Sequence, residues 1–287
     1  MSDVALPIPH RSRDKHPVRT FLTHAALVLL SIIFSIPLYW MISSSLKIDA
    51  QIHQWPPAWI PNPITFDNYP KGLTFIDFPR MLSNTLTVAL LTVVGTVVSC
   101  SLVAYSLTAM KWKGRDLLFY ILLGTMMLPG QVTMIPLFVL YAKLGWVDTF
   151  APLTVPHFFG SAFSIFLMRQ FFLGIPRDLS EAARIDGCSP WGVYARIIMP
   201  LSKPVVATVA LFSFLAAWND YMGPLIYLAN KNNFTLSLGL ATFSSQNSSL
   251  PGQLMAVSTV MTIPILVLFF LTQRTFIQGM TTSGIKG

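Results

Sequence analysis

Long apolar runs separated by shorter polar segments are the main pattern in this sequence. Six of the runs are long enough to cross a membrane, since about twenty apolar residues span the hydrocarbon core. These runs cover residues 21–43, 82–110, 117–141, 150–172, 205–228 and 254–272. The pattern predicts an all-α membrane protein with six transmembrane helices. We expect one membrane domain over residues 21–287, preceded by a polar arm at residues 1–20.

Proline and glycine interrupt two of these runs. The third run contains Pro129, Gly130 and Pro136, and the fourth contains Pro152 and Pro156. Proline removes a backbone donor and disrupts a helix, and broken helices at membrane depth are tolerated where they line a cavity or are buried in protein. The sequence therefore predicts breaks in the third and fourth spans.

The composition supports the membrane class and the charges suggest an orientation. Of the 287 residues, 53% are hydrophobic and 10% are charged, whereas a soluble domain is about 25% charged. The net charge of +8 is not concentrated on a face that would bind nucleic acid. Fourteen of the nineteen Lys and Arg residues lie in the N-terminal arm, the second and fourth connections and the tail. The positive-inside rule therefore places both termini in the cytoplasm.

The basic connection between the fourth and fifth runs has the sequence of two short helices joined by a bend. Asp178 is predicted to cap the first helix, and Glu181 three residues later completes a capping box. Gly187 follows at the position where a left-handed residue ends a helix. Ser189 is predicted to cap the second helix, with Pro190 at its first position. A helix this short is unstable on its own. It therefore either covers the membrane domain or docks on a partner.

The same connection carries a spaced motif that resembles a known family. The motif consists of Glu181-Ala182-Ala183, then Gly187, then Ile197-x-Met199-Pro200. It resembles the EAA signature of the permease subunits of binding-protein-dependent ABC importers, although that family usually has Leu in place of Met199. The segments S-S-L-K and T-F-D-N-Y and the C-terminal Gly284-x-Lys286-Gly287 are similar to sugar-type members, specifically the maltose-type second permease. The resemblance extends from S-S-L-K to the C-terminus.

The resemblance implies a fold, a location and partners. The fold is that of a type I ABC importer permease in a bacterial or archaeal inner membrane, with a coupling helix in the loop at about residues 173–203. The partners are a second homologous permease, two copies of an ATPase subunit and an extracytoplasmic substrate-binding protein. The cargo is a sugar, an oligosaccharide or a glycerol-phosphate-like polyol. The residues that would contact the ATPase are Glu181, Ala182, Ala183, Asp186 and Gly187. The glycines of the cytoplasmic tail, residues 273–287, favour an extended segment that reaches the ATPase.

Polar residues inside two apolar runs are candidates for the translocation path. Gln131 lies beside the predicted break in the third run, and Asn219 and Asp220 lie in the fifth. Intramembrane ionisable residues are rare, and a carboxylate facing lipid costs about 2.5–3.5 kcal/mol on insertion scales. Asp220 should therefore face water or a partner group. Alternatively, Asn219 and Asp220 only tie helices together near the outer interface.

Signatures of catalysis are missing from the sequence. It contains no G-x-x-x-x-G-K-[ST] motif, no metal-ligand spacing and no Ser/His/Asp or Cys/His grouping. We therefore expect a non-catalytic subunit without a cofactor of its own, with ATP and Mg²⁺ bound by the partner ATPase. His157 in the fourth run is either a helix–helix hydrogen bonder or a ligand. The alternative class is an ion-gradient-driven secondary transporter with Asp220 as its proton or sodium site.

Overall fold

The computed structural model describes residues 17–246 and 250–283, and this part of the chain contains helices and no strand. The α-helices are, in chain order, α1 (Pro17–Ser45), α2 (Asp49–Ile52), α3 (Asn68–Phe75), α4 (Phe78–Ala109), α5 (Arg115–Thr125), α6 (Gly130–Lys143), α7 (Ala151–Thr154), α8 (Ala162–Leu173), α9 (Arg177–Ile185), α10 (Pro190–Val193), α11 (Met199–Leu201), α12 (Lys203–Asn219), α13 (Met222–Tyr227), α14 (Leu236–Gln246) and α15 (Pro251–Ser283). A 3₁₀ segment continues α7, and one π-helical turn joins α10 to α11.

The predicted number of membrane spans is confirmed. Four helical stretches are each long and apolar enough to cross a membrane, and there are six when two bent pairs count as one span each. The bent pairs are α5 with α6, at 97°, and the α10–α11 stretch with α12, at 78°. An all-α fold follows, because in lipid every backbone polar group must be satisfied within its own segment.

The predicted breaks are confirmed in part. The third span breaks before Gly130, where Pro129 is extended, and the fourth changes from α-helix to 3₁₀ helix at Val155, directly before Pro156. Pro136, however, lies inside the continuous helix α6, so the predicted break at this residue is wrong. A single proline removes one hydrogen bond, and transmembrane helices tolerate this loss.

The fifth span is shorter than predicted. Its helix α12 ends at Asn219, and Asp220 is extended with ψ at 116°. A second short helix, α13, then begins at Met222. The expected continuous run 205–228 is therefore wrong, because Asp and Asn side chains compete with the helix for backbone hydrogen bonds.

Helix α4 lies at the centre of the fold. It packs against α12, α8 and the 3₁₀ segment that follows α7. Gly95 permits the last contact, since a Cβ atom there would lie 2.7 Å from a ring carbon of Phe158. At one end of the bundle, Cys100, Ala104 and Tyr105 on α4 form a core with residues of α8 and of the α9–α11 connection. This core fixes the connection to the membrane domain.

The first helix packs on α15, and its residues become buried only toward its C-terminal end. None of the residues in its most apolar stretch is buried. At its end, Ser45 and Lys47 are fully buried, and the Asn68 side-chain amide donates to the carbonyls of both, at 2.9 and 2.8 Å. The Lys47 ammonium lies 3.9 Å from the ring centroid of Trp40, a cation–π contact that stabilises a buried cation.

The C-terminal helix differs from the sequence expectation. Helix α15 continues without a break from Pro251 through Pro264 to Ser283. The expected extended tail at residues 273–287 is therefore wrong up to Ser283. Residues 284–287, which carry the G-x-K-G motif, and the N-terminal arm up to residue 16 lie outside the described residues.

Candidate functional site

The first helix of the predicted coupling loop forms without the predicted cap. Helix α9 begins at Arg177, its N-cap position is Pro176, and no side chain caps it. Asp178 lies inside the first turn, so its assignment as the cap is wrong. A carboxylate in the first turn still favours the helix, because it complements the positive end of the helix dipole. The Glu181 side chain is exposed on the same helix.

The C-terminal end of α9 forms as predicted. Gly187 has φ of +81°, a region that side chains with a Cβ rarely occupy. Its N–H donates to the Arg184 carbonyl at 3.1 Å, and the Cys188 N–H donates to the Ala183 carbonyl at 2.9 Å. These two bonds define a Schellman motif. The chain therefore reverses direction after α9 with its last carbonyls satisfied.

The second short helix also begins as predicted. The Ser189 hydroxyl accepts a hydrogen bond from the Gly192 N–H at 3.2 Å, and Pro190 occupies the first position of α10. The π-helical turn Tyr194–Ile198 follows. Extra-residue turns of this kind are frequent at functional sites.

Hydrogen bonds from both sides fix the loop to the end of α4. The Arg184 guanidinium donates through Nη2 to the Ala109 carbonyl at 3.1 Å. The Tyr105 hydroxyl donates to the Pro190 carbonyl at 2.9 Å, and the hydroxyls of Ser101 and Tyr194 lie 2.8 Å apart. These bonds join the loop directly to the central helix.

The outer surface of the loop carries three large apolar side chains that are exposed among charged residues. Ala183 is buried against the membrane domain, whereas Leu179 is 45% exposed, Ile185 86% and Trp191 64%. Large apolar side chains that are exposed beside charged residues are typical of a binding surface. Of the predicted coupling residues, Ala182 and Asp186 are exposed with them, while Ala183 holds the helix in place.

Asp220 caps a helix. Its Oδ1 atom accepts the Gly223 N–H at 3.0 Å in the first turn of α13, and the Ser237 hydroxyl donates to its carbonyl oxygen. Its neighbour Asn219 is exposed and donates to the Leu215 carbonyl at 2.8 Å. The contacts of Asp220 support the alternative that it ties helices together, whereas the Asn219 bond lies within α12. They do not support an ion-coupling site at Asp220.

Gln131 lies at the other polar position, in the first turn of α6. Its side chain is exposed, and among the described residues none forms a hydrogen bond with it. The far end of α6 packs on α13, where the rings of Tyr141 and Tyr227 meet at 5.4 Å. Ten residues of helix, about 15 Å, separate Gln131 from that contact. The described contacts do not join Gln131 to Asp220.

Two features were not predicted from the sequence. One is the set of hydrogen bonds that join the loop to α4, and the other is a carboxylate at the opposite end of the bundle. Asp148 has φ of +63° and lies between α6 and α7. Its Oδ1 accepts the N–H groups of Asn230 and Ala229, at 2.8 and 3.1 Å. The Asn230 N–H contributes most to holding the pKa of Asp148 below its usual value. The only sequence feature that indicated this contact is the segment Asp148-Thr149-Phe150, which follows the third apolar run.

The described residues contain no cluster of potential metal ligands. No group of three or more His, Cys, Asp or Glu side chains comes together in residues 17–246 and 250–283. His157 lies half-buried in the 3₁₀ segment, where its backbone carbonyl accepts the Ser99 hydroxyl at 3.0 Å. His157 thus lies between packed helices.

The sequence is similar to one protein family and to individual transport proteins that agree with it. Residues 98–282 match the family described as "Binding-protein-dependent transport system inner membrane component". The arabinooligosaccharides transport system permease protein AraQ of Bacillus subtilis is 33% identical, with 91% of this chain and 93% of that protein covered. The trehalose/maltose transport system permease protein MalG of Thermococcus litoralis is also 33% identical, with 91% and 94% covered.

The fold has a counterpart among solved structures. A chain in the crystal structure of a bacterial ABC transporter involved in the import of the acidic polysaccharide alginate superimposes with a TM-score of 0.80, at 24% identity. The match covers 94% of this chain and all of the other. The family match includes the whole α9–α11 loop, and both relatives align along nearly the full length. The chain therefore belongs to the binding-protein-dependent transport system inner membrane components, the multi-pass permease subunits of ABC importers.

Proposed function

We propose that this chain forms half of the translocation pathway of an ATP-driven importer for a sugar, an oligosaccharide or a glycerol-phosphate-like polyol. The observation that carries the proposal is helix α9, which is closed by a Schellman motif and fixed to α4 while its apolar side stays uncovered. The names of the two relatives support the saccharide class, since both transport oligosaccharides or disaccharides.

The proposed complex contains three further kinds of subunit. A second homologous permease completes the pathway, two copies of an ATPase subunit bind ATP and Mg²⁺, and an extracytoplasmic binding protein delivers the cargo. This chain supplies no catalytic group and no cofactor of its own. Its orientation follows the positive-inside rule, with both termini and the α9–α11 loop in the cytoplasm.

Energy enters through the coupling loop. An ATPase cleft covers the exposed side of α9, which carries Leu179, Ala182 and Asp186 on one face, with Glu181 at its flank. When the ATPase dimer closes, α9 moves as a rigid unit, because Gly187 and the buried Ala183 fix its end. The bonds from Arg184 and Tyr105 transmit that movement to α4, and the spans rock between inward-open and outward-open states.

The translocation path is proposed to pass Gln131 and Asn219. Both side chains are exposed although they lie in apolar spans, and polar groups at that depth need water or a partner protein. Asp220 lies at the end of α12, a helix of 17 residues and so about 25 Å long. It acts at the outer margin of the path, where it holds α13 in position.

Uptake into right-side-out membrane vesicles tests the function. Vesicles that carry the complete importer should accumulate radiolabelled maltose or an arabinooligosaccharide only when ATP is trapped inside. Uptake should survive an uncoupler, because no ion gradient drives it. Uptake that needs no ATP and is abolished by the uncoupler would instead favour the secondary transporter, for which neither the family match nor the contacts of Asp220 give support.

A further inference from the structure

A cleft of about 180 Å³ lies between α9, the end of α8 and the turn that joins α4 to α5. We call it the basic cleft. The ionisable side chains that line it are Lys111, Arg115, Arg177, Glu181 and Arg184. Four cations and one carboxylate leave three net positive charges around one opening. None of these features was apparent in the sequence, because the lining residues come from α4, α5, α8, α9 and the connections between them.

Most of these cations have no carboxylate partner. Arg115 pairs with Asp116 at 3.1 Å, and Arg184 donates to a backbone carbonyl. No carboxylate of the described residues forms an ion pair with Lys111, Arg177 or Arg184. Like charges that line one cleft repel one another, and an anion between them relieves that repulsion. The cleft is therefore suited to a group with at least one full negative charge.

The surroundings of the cleft match the boundary between membrane and water. Its floor is apolar and includes Phe172 and Leu173 at the end of α8. Directly beyond the cleft, helix α5 exposes Leu117 and Ile121, a surface that belongs in hydrocarbon. Trp112, in the same turn as Lys111, is 40% exposed, and tryptophan is enriched at the headgroup level. The charged opening thus lies where phospholipid phosphates are found.

The cleft lies on the other side of α9 from Leu179, Ala182 and Asp186, the face proposed for the ATPase, and Glu181 lies at the margin between the two. Its α9 lining residues Arg177, Ser180, Glu181 and Arg184 follow the spacing of one helix face. Leu179 and Ala182 point away from that face. A docked ATPase would therefore leave the cleft open toward the membrane.

We propose that the basic cleft binds the phosphate of an anionic phospholipid, which ties α9 to the α4–α5 turn. Basic pockets between helices at the cytoplasmic side are suited to such headgroups. The lipid would sit behind the coupling helix and stiffen its connection to α4. The proposal uses the orientation given above only to choose the leaflet, and lipid binding is measured without transport.

Native mass spectrometry of the purified complete importer tests the proposal, with phosphatidylglycerol and phosphatidylcholine as probes. The wild-type complex should retain phosphatidylglycerol in preference to phosphatidylcholine. The double variant Lys111→Gln/Arg177→Gln should bind phosphatidylglycerol more weakly, by about fivefold for each basic residue. The matched double variant Lys113→Gln/Lys143→Gln loses the same charge outside the cleft and should behave as wild type. Lys111→Arg keeps the charge and should also retain the lipid.

Other outcomes would overturn the proposal. Equal retention of phosphatidylglycerol by the cleft variant and the matched control would place the lipid elsewhere. Inorganic phosphate that displaces the lipid from the wild-type complex would identify a site for free phosphate. If the wild-type complex retains no anionic lipid while the cleft variant loses its ATPase subunit, the cleft binds a protein partner instead.

Discussion

At the residue scale, two positions decide the geometry of the proposed site. Gly187 adopts a left-handed conformation that ends α9, and Asp220 supplies an oxygen that begins α13. Both act on backbone rather than on cargo. Substitutions at these two positions therefore distinguish a role in backbone conformation from a role in contacting a partner or cargo.

Gly187→Val should weaken binding of the ATPase subunit. A Cβ atom at Gly187 would meet no atom within 4 Å, so the cost is conformational and not steric. A left-handed conformation costs a residue with a Cβ about 1–2 kcal/mol, and a β-branched side chain more. The measurement is the fraction of ATPase subunit that co-purifies with the permease.

Gly124→Val is the matched control for that experiment. Gly124 lies inside α5, also has no atom within 4 Å of a Cβ position, and has no positive φ. The control should recover the ATPase normally. If Gly187→Val also recovers it normally, the loop does not need the Schellman turn for docking.

Asp220→Asn and Asp220→Ala should differ. Asparagine keeps an oxygen that accepts the Gly223 N–H, whereas alanine removes the cap, at a cost of about 0.5–2 kcal/mol. If Asp220 only caps α13, Asp220→Asn should assemble and transport normally, and Asp220→Ala should lower the melting temperature of the complex. A loss of transport in a stably assembled Asp220→Asn complex would show that the charge itself is needed.

At the element scale, the breaks in the helices matter more than their lengths. The third, fourth and fifth spans are each interrupted, and the turns at one end of the bundle are joined by side-chain bonds to backbone. The Asp148 carboxylate makes two such bonds, to the N–H groups of Ala229 and Asn230 at the start of the segment that follows α13. Bonds from the Asp148 backbone N–H to the Tyr227 carbonyl and from the Asn233 amide to the Asp148 carbonyl reinforce this join.

The Asp148 contact should weaken in acid. Its pKa is lowered in the folded protein, mainly by the Asn230 N–H, so its stabilising effect is complete above the usual carboxyl pKa of 3.8. The effect is lost as the pH falls through the lowered value, when the carboxylate becomes protonated. Amide hydrogen exchange at Ala229 and Asn230 should therefore rise below that pH.

Asp148→Asn provides the control for the acid effect. Asparagine tolerates the left-handed conformation and keeps one acceptor oxygen, but it cannot be titrated. Exchange at Ala229 and Asn230 should be faster than in wild type at neutral pH and independent of pH once the intrinsic rate is removed. The same residual pH dependence in wild type and variant would assign the effect to another group.

At the scale of the whole molecule, the spans leave much apolar surface exposed. The apolar stretch of α1 has no buried residue, and α5 and α6 expose large side chains such as Val132 and Ile135. Lipid alone is able to cover such surfaces, and a second permease is the protein expected to cover part of them. The orientation of the chain in the membrane then decides which end meets the ATPase.

Cysteine labelling checks that orientation. In a Cys188→Ser background, where the other cysteine, Cys100, is buried, single substitutions Lys113→Cys and Lys231→Cys place thiols at opposite ends of the bundle. A membrane-impermeant maleimide should label Lys231→Cys in right-side-out vesicles and Lys113→Cys only in inside-out vesicles. The reverse pattern would put the α9–α11 loop outside, where no ATPase could reach it.

The sequence alone determined the class of the protein, the number of spans and the local structure of the coupling loop. Span length, the glycine at position 187 and the cap at Ser189 depend on a few consecutive residues, so their effects are visible in the sequence. The same local rules were wrong at Asp178 and Pro136, because a carboxylate is also favourable inside the first turn of a helix and a membrane helix tolerates a proline.

Only the tertiary structure decided how these elements contact one another. The bond from Arg184 to Ala109 joins residues 75 positions apart, and the capping role of Asp220 depends on where α12 ends. The basic cleft likewise forms because the ends of α4 and α8 and one face of α9 meet in space. Such contacts are set by packing between distant segments, and no local pattern of apolar and polar residues specifies them.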